Sequence, residues 1–514
     1  MVAVRQRRWW VLALAVGLAA CSSPVPSTVC ATSITYSANF TTAVNNDLDL
    51  VFVIDDGPAM AGWQAKLATQ LPILMKALQS KPSPLGLHVG VVSSDLGVGM
   101  AANVGIPGCT VSGDDGNLRS QPEGMCTATT LDPSATFISE LGSTRNFTAA
   151  DDATESGAAK VFECIAQLGD GGCGFGQPLA AVARALGADG LPPPPENAGF
   201  LRPNAYLGII FISNQDDCSA SASGSLFSLS DPSADQLGDS QGPLTHYRCN
   251  HAGHLCVDSQ GNQVSPPIQP PADATAVDGV PTLALTNCQS NEGDGALMPV
   301  SKFVSEIKSL KPDPDHRILV SGIVGPPSPY AVEWLPQPGG AAPGELWPRV
   351  TPSCGAEAAD GSGAFGEPAV RLSQFLNAFQ NSVLGSVCDD NYKEALAAIA
   401  TPLEEDGHPP CLPSDIRSKT DPDGNSHPDC VVTEHLTTSD GNTQEFVLPP
   451  CSSVAAGAAC WSIGGTAVSA GCPAGSPLFT VSNEPLGPDP SNFAARQEVS
   501  CQLTLPADAG SCPD

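Results

Sequence analysis

Short, unbroken apolar runs alternate along this chain with stretches whose apolar residues recur at helical spacing. Leu48-Asp-Leu-Val-Phe-Val-Ile54, Leu87-His-Val-Gly-Val-Val-Ser93, Tyr206-Leu-Gly-Ile-Ile-Phe-Ile212 and Arg317-Ile-Leu-Val-Ser-Gly-Ile-Val324 are rich in β-branched residues. Runs of that kind mark strands buried on both faces. Between them, Trp63, Leu67, Leu71, Leu74, Met75 and Leu78 recur at the spacing of one helix face. So do Val161, Phe162, Ile165 and Leu168, and later Val300, Phe303, Val304, Ile307 and Leu310. This spacing predicts helices with one apolar face. Further helices are expected at Pro178–Leu186, around Ala369–Phe379 and around Tyr392–Ile399. Strands alternating with helices predict an α/β fold: a doubly wound, mostly parallel sheet with helices on both faces.

Two segments rich in Gly, Pro, Ser and Asp, about 219–297 and 326–367, interrupt the alternation. Inserts of this length belong on the surface at loop ends. Beyond residue 402 the pattern changes to turn-rich sequence with seven cysteines, a Cys-rich region over 403–514. At the other end Arg5, Arg7 and Arg8 precede an apolar stretch from Trp9 to Ala20. That stretch is shorter than the roughly 20 residues needed to cross a bilayer and reads as a signal peptide over residues 1–20. Residues 21–46, opening Ser22-Ser-Pro-Val-Pro-Ser after Cys21, read as a tether.

Leu18-Ala19-Ala20-Cys21 resembles the lipobox of bacterial lipoproteins. The resemblance implies that Cys21 is acylated on its thiol, becomes the first residue after cleavage and is then acylated on its amine. Several chains on one residue give stable anchoring. Ser22, with no aspartate beside the cysteine, resembles the outer-membrane default of a two-membrane cell. Assigning Cys21 to lipid leaves 18 of the 19 cysteines, an even number that fits nine disulfides in an oxidising compartment. Eleven of these precede residue 402 and seven follow it, so full pairing within the chain requires at least one disulfide across that boundary. Loss of the three leader arginines leaves 19 basic against 53 acidic residues, a net charge of −34. Such a surface repels phosphate backbones and excludes nucleic acid as the expected partner.

Val51-Phe-Val-Ile-Asp-Asp-Gly-Pro-Ala-Met60, Gly90-Val-Val-Ser-Ser-Asp-Leu-Gly97 and Ile209-Ile-Phe-Ile-Ser-Asn-Gln-Asp-Asp217 together resemble the von Willebrand factor A-like domain, over about residues 47 to 402. More narrowly, Gly172-Cys-Gly-Phe-Gly-Gln-Pro-Leu179, Gln215-Asp-Asp-Cys-Ser219, Tyr247-Arg-Cys249 and Pro352-Ser-Cys354 look like features of bacterial surface lipoproteins carrying that domain. The family places a divalent cation at the carboxyl end of the first strand, in an Asp-x-Ser-x-Ser loop completed by a threonine and an aspartate. Here Asp55 matches the first aspartate, but Gly57 and Ala59 replace the serines. Cys173 or its neighbours stand in the threonine region, and Asn214 stands for the later aspartate. Only a degenerate metal site is implied, with Asp55 its surviving ligand. Asp56, Asp95, Asp216 and Asp217 are the carboxylates able to rebuild a weak site for Mg²⁺ or Ca²⁺. A metal-independent fold is the expected outcome, because Mg²⁺ is hard to dehydrate.

The expected binding face is the carboxyl end of the sheet: Asp55, Asp56, Gly57, Ala59, Asp95, Asn214, Asp216 and Asp217. The expected partner is an envelope or surface protein, with the membrane reached only through the lipid. A disulfide-hardened structural component with no ligand at the sheet end is the alternative. His246-x-x-Cys249-x-His251-x-x-His254-x-Cys256 has zinc-type donors, but disulfides are expected to claim those cysteines in an exported chain. Asp421-x-Asp423-x-Asn425 lacks the glycine and glutamate spacing of a calcium loop and reads as a turn. Ser305-Glu-Ile-Lys308 lies inside an amphipathic helix without companion motifs. None of these patterns points to an enzyme.

Overall fold

The computed structural model describes residues 34–40, 47–79, most of 86–400 and segments of 412–504. The leader and Cys21 lie outside the described residues, as do Cys30, Cys126, Cys411, Cys472, Cys512, Asp423 and Asn425.

All four apolar runs form strands, and they sit side by side. Leu48–Ile54 lies between Leu87–Ser93 and Tyr206–Ile212, both parallel to it, and Ile318–Val324 follows beyond Tyr206–Ile212. Every residue of these four strands is buried, which is why they read as continuous rather than alternating runs. Asn381–Ser386 adds a fifth parallel strand at one edge, while Ile138–Leu141 and Thr144–Arg145 extend the other edge antiparallel. The result is a seven-strand mixed sheet, mostly parallel.

Alternate residues of the central strand feed two cores. Leu48, Leu50, Phe52 and Ile54 pack with Trp63 and Leu67 of helix Ala61–Gln79, Phe162 of Gly157–Ile165 and Leu396 of Lys393–Ala400. Val51 and Val53 pack with Val182 of Pro178–Leu186, Phe303 of Val300–Lys308 and Phe375 of Val370–Leu376. Helices therefore cover both faces. Register sets the level of the strand ends: Ile54 stands opposite Ser93 on one side and Ile212 on the other. The loops beginning at Asp55, Ser94 and Ser213 consequently leave the sheet together.

Three features were not anticipated. The two inserts do not hang as separate loops: Val280–Ser290 of the first pairs with Tyr330–Pro336 of the second, inside a single six-stranded antiparallel sheet. That sheet has its own core of Leu283, Leu285, Tyr330, Val332 and Trp334. Asn381–Ser386 forms an edge strand where no apolar run marks one. Part of the expected tether, Ile34–Phe40, pairs antiparallel with Phe493–Leu503 in a four-stranded sheet of the C-terminal region. Tyr36 and Ala38 pack there against a core containing Val432, Leu448, Trp461, Phe479 and Val499. Segments about 450 residues apart in the sequence thus share one sheet.

Six disulfides are described: Cys109–Cys173, Cys218–Cys249, Cys256–Cys288, Cys354–Cys388, Cys430–Cys501 and Cys451–Cys460. Cys164 is disulfide-bonded as well. Each of the six lies on one side of residue 402, while the Ile34–Phe40 strand pairs with Phe493–Leu503 beyond it.

Candidate functional site

Asp55 follows the central strand directly, and its backbone N–H donates to Ile212 O at 2.9 Å. That bond holds the carboxylate level with both neighbouring strand ends. Oδ1 accepts from Gly57 N at 2.9 Å and from Ser94 Oγ at 3.0 Å, while Oδ2 accepts from Ser213 Oγ at 2.6 Å. Each hydroxyl comes from the residue that immediately follows a flanking strand. The Asp55 carboxylate is 3% exposed, and these three donors answer the desolvation that burial imposes. The sequence reading missed Ser94 and Ser213, although their place just after two buried runs was the available signal.

Asp56 points elsewhere. Its carboxyl faces Gly172, where a Cβ would sit only 2.4 Å from Cγ, so that position requires glycine for close approach. Oδ1 of Asp56 has no hydrogen-bond partner among the described residues. Burial, then the charges of Asp55, Asp95 and Asp114, push its pKa up to about 8. Asp95 accepts from Gly97 N at 2.7 Å, and burial raises its pKa too. Asp114 accepts from Ser93 Oγ at 2.5 Å and is paired with Arg119. Asn214 is buried, and neither of its side-chain polar atoms has a hydrogen-bond partner among the described residues. What reaches solvent from the first loop is its tip: Pro58 is exposed and Ala59 half-buried. Ala59 adopts φ 70°, a left-handed conformation that costs a non-glycine residue about 1 kcal/mol.

Asp216 and Asp217 lie beneath the face rather than on it, each 1% exposed. Asp216 accepts from Arg371 N at 2.7 Å and Leu372 N at 3.0 Å, in the first turn of Val370–Leu376, and contacts His254 Nε2 at 2.8 Å. Those hydrogen bonds outweigh burial and hold its pKa below the usual carboxylate range. Asp217 accepts from Leu179 N at 3.1 Å in the first turn of Pro178–Leu186, and from Ser219 Oγ at 2.6 Å. It also pairs with Arg371 at 3.0 Å, and the Arg371 side chain is wholly buried. The two acids tie two helices to the end of a third strand. Carboxylates suit helix N-termini, where unpaired N–H groups converge.

The candidate zinc donors separate. Cys249 and Cys256 are in disulfides with Cys218 and Cys288. His246 Nδ1 meets Glu367 Oε2 at 3.0 Å, His254 Nδ1 meets the Tyr330 hydroxyl at 2.8 Å, and His251 Nδ1 meets Pro266 O at 2.7 Å. His246 is buried, which lowers its pKa, but Glu367 outweighs that and raises it overall.

The cation implied by the family resemblance does not fit these residues. Both Asp55 oxygens are engaged by protein donors, and Gly57 and Ala59 supply no ligating atom from their side chains. Among the described residues no three His, Cys, Asp or Glu side chains converge as a metal-binding group. The molecule is a mixed α/β protein with a mostly parallel seven-strand sheet and several antiparallel sheets. Its disulfides mark it as extracytoplasmic. No protein-family model matches the chain, and no curated protein is significantly similar to it.

Proposed function

We propose that this chain is a cell-envelope lipoprotein, anchored through Cys21, that binds another envelope or surface protein at the carboxyl end of a doubly wound, von Willebrand factor A-like sheet without using a metal. The supporting observation is Asp55. Doubly wound sheets bind ligands where strand order reverses, here between Leu48–Ile54 and Tyr206–Ile212. At that point Ser213 bridges to Asp55, so side chains close the crevice and leave the Pro58–Ala59 tip exposed above it. A closed crevice under an exposed tip suits a protein surface better than a small molecule or ion. In the two-membrane case the anchor sits in the outer membrane.

The test is affinity capture of envelope proteins on purified residues 22–514, with wild type, Pro58→Arg, and wild type in chelator. A partner retained in chelator and lost on Pro58→Arg is the expected result. Capture of nothing, or loss in chelator alone, contradicts it.

One observation favours the structural reading. Asp55, Asp56, Asp95, Asn214, Asp216 and Asp217 are all at most 7% exposed, as befits a sheet end built for rigidity. Under that reading neither Asp55→Ala nor Pro58→Arg changes any envelope phenotype.

A further inference from the structure

A cavity of about 590 Å³ lies away from the Asp55 site, at the edge strand Asn381–Ser386. Val383, Leu384, Gly385 and Ser386 all line it. Side chains of consecutive strand residues point to opposite faces, so a hollow touching four in a row looks onto the edge of the strand itself. Among the described residues no second strand pairs with that edge, since Asn381–Ser386 pairs only with Ile318–Val324; at its end Asp389 takes both the N–H and the C=O of Ser386, so the open stretch is Ser382–Gly385. The strand carries no charge and no proline, the usual guards of an open edge, and Leu384 is 42% exposed upon it.

The rim is acidic. Asp389, Asp390 and Glu394 line the cavity, all three are exposed, and no described ion pair involves them. Lys66 reaches this rim from Ala61–Gln79, but its ammonium meets the Asp389 backbone carbonyl and lies 4.5 Å from the centre of the Tyr392 ring. Asp389 accepts from Ser386 N at 3.1 Å and the Lys66 charge acts on both Asp389 and Asp390, which leaves Glu394 the most open charge of the rim and Asp390 partly balanced.

We propose that this edge docks an extended, basic segment of a partner protein. The segment adds as a further strand to Asn381–Ser386, sets an apolar side chain against Leu384 and places lysine or arginine on Asp390 and Glu394. Main-chain hydrogen bonds supply affinity in such strand addition, and alternate side chains supply specificity. A second copy of this chain is a poor occupant, because a net charge of −31 repels itself.

The test uses purified residues 22–514 and three fluorescein-labelled octapeptides, read by anisotropy over a salt series. One alternates valine and lysine, one alternates valine and glutamate, and the third is the valine–lysine peptide N-methylated at four consecutive central residues, which blocks both of its edges. A benzophenone on the first peptide maps where it lands. Expected are saturable binding of the valine–lysine peptide, no binding of the glutamate peptide and cross-links within residues 381–395. N-methylation should weaken binding by about tenfold or more, since several backbone hydrogen bonds are lost. Asp390→Lys with Glu394→Lys should weaken it comparably, and both positions are exposed enough for the fold to tolerate the change. Equal binding of the N-methylated peptide would reduce the effect to bulk charge and overturn the proposal. So would an unaffected double variant, cross-links elsewhere, or no binding.

Discussion

Asp55 and Asp56 are neighbours in sequence whose carboxyls meet opposite conditions. Asp55 has three donors, whereas Asp56 has an unpaired oxygen and three nearby acids. In the unfolded chain Asp56 ionises near 3.8, and in the folded protein near 8. Between those values the folded state holds the extra proton, so stability falls as pH rises, and the loss levels off above about 8. Asp56→Asn keeps the shape and removes the ionisation. Its melting temperature should rise relative to wild type between about pH 5 and about pH 9, the gap widening with pH. A constant gap would mean that the carboxyl is better solvated than its burial implies. Arg371 makes the complementary case. Arg371→Met leaves Asp217 buried without its counter-ion and should cost about 3–5 kcal/mol in denaturant unfolding. A loss under about 1 kcal/mol would show that the backbone N–H and Ser219 donors suffice.

At the scale of elements, the four central strands and most helices were legible because full burial writes itself into composition. A strand covered on both faces has no room for polar residues, and helix Pro178–Leu186 matches its expected bounds. Asn381–Ser386 was not legible, because an edge strand half-open to solvent needs no apolar run. The antiparallel sheet of the inserts left a fainter trace. Tyr330, Val332 and Trp334 alternate inward with Ala331 and Glu333 between them, a two-residue period easily lost among Gly and Pro. Its pairing across 40 or more residues leaves no local signal at all. Disulfides hold such distant pieces. Cys218–Cys249 links the loop after Tyr206–Ile212 to helix Tyr247–Gly253 across 31 residues. Replacing both cysteines by alanine should lower unfolding stability by about 3–4 kcal/mol. An unchanged denaturation midpoint would mean that the buried polar network fixes this segment unaided.

On the scale of the whole molecule, Asp55 and Asn214 follow the ends of neighbouring strands, as their place after apolar runs implies, whereas the burial of Asp216 and Asp217 is not written locally. Sequence places Asp216 and Asp217 just past a strand, where a binding loop belongs. Nothing local reveals that Arg371, 154 residues beyond Asp217, returns to cover them. The same long-range return unites Ile34–Phe40 with Phe493–Leu503, which short-range pattern does not encode. The central claim is that the exposed tip of the first loop meets a partner protein and does so without metal. Photo-cross-linking in intact cells tests it most directly, with a photoreactive residue at Pro58 and a control at Leu191, a 58% exposed position in the loop leading to the amino end of Tyr206–Ile212. A discrete adduct at Pro58 that survives chelator and is absent at Leu191 is expected. No adduct at Pro58, or one that chelator abolishes, would contradict it.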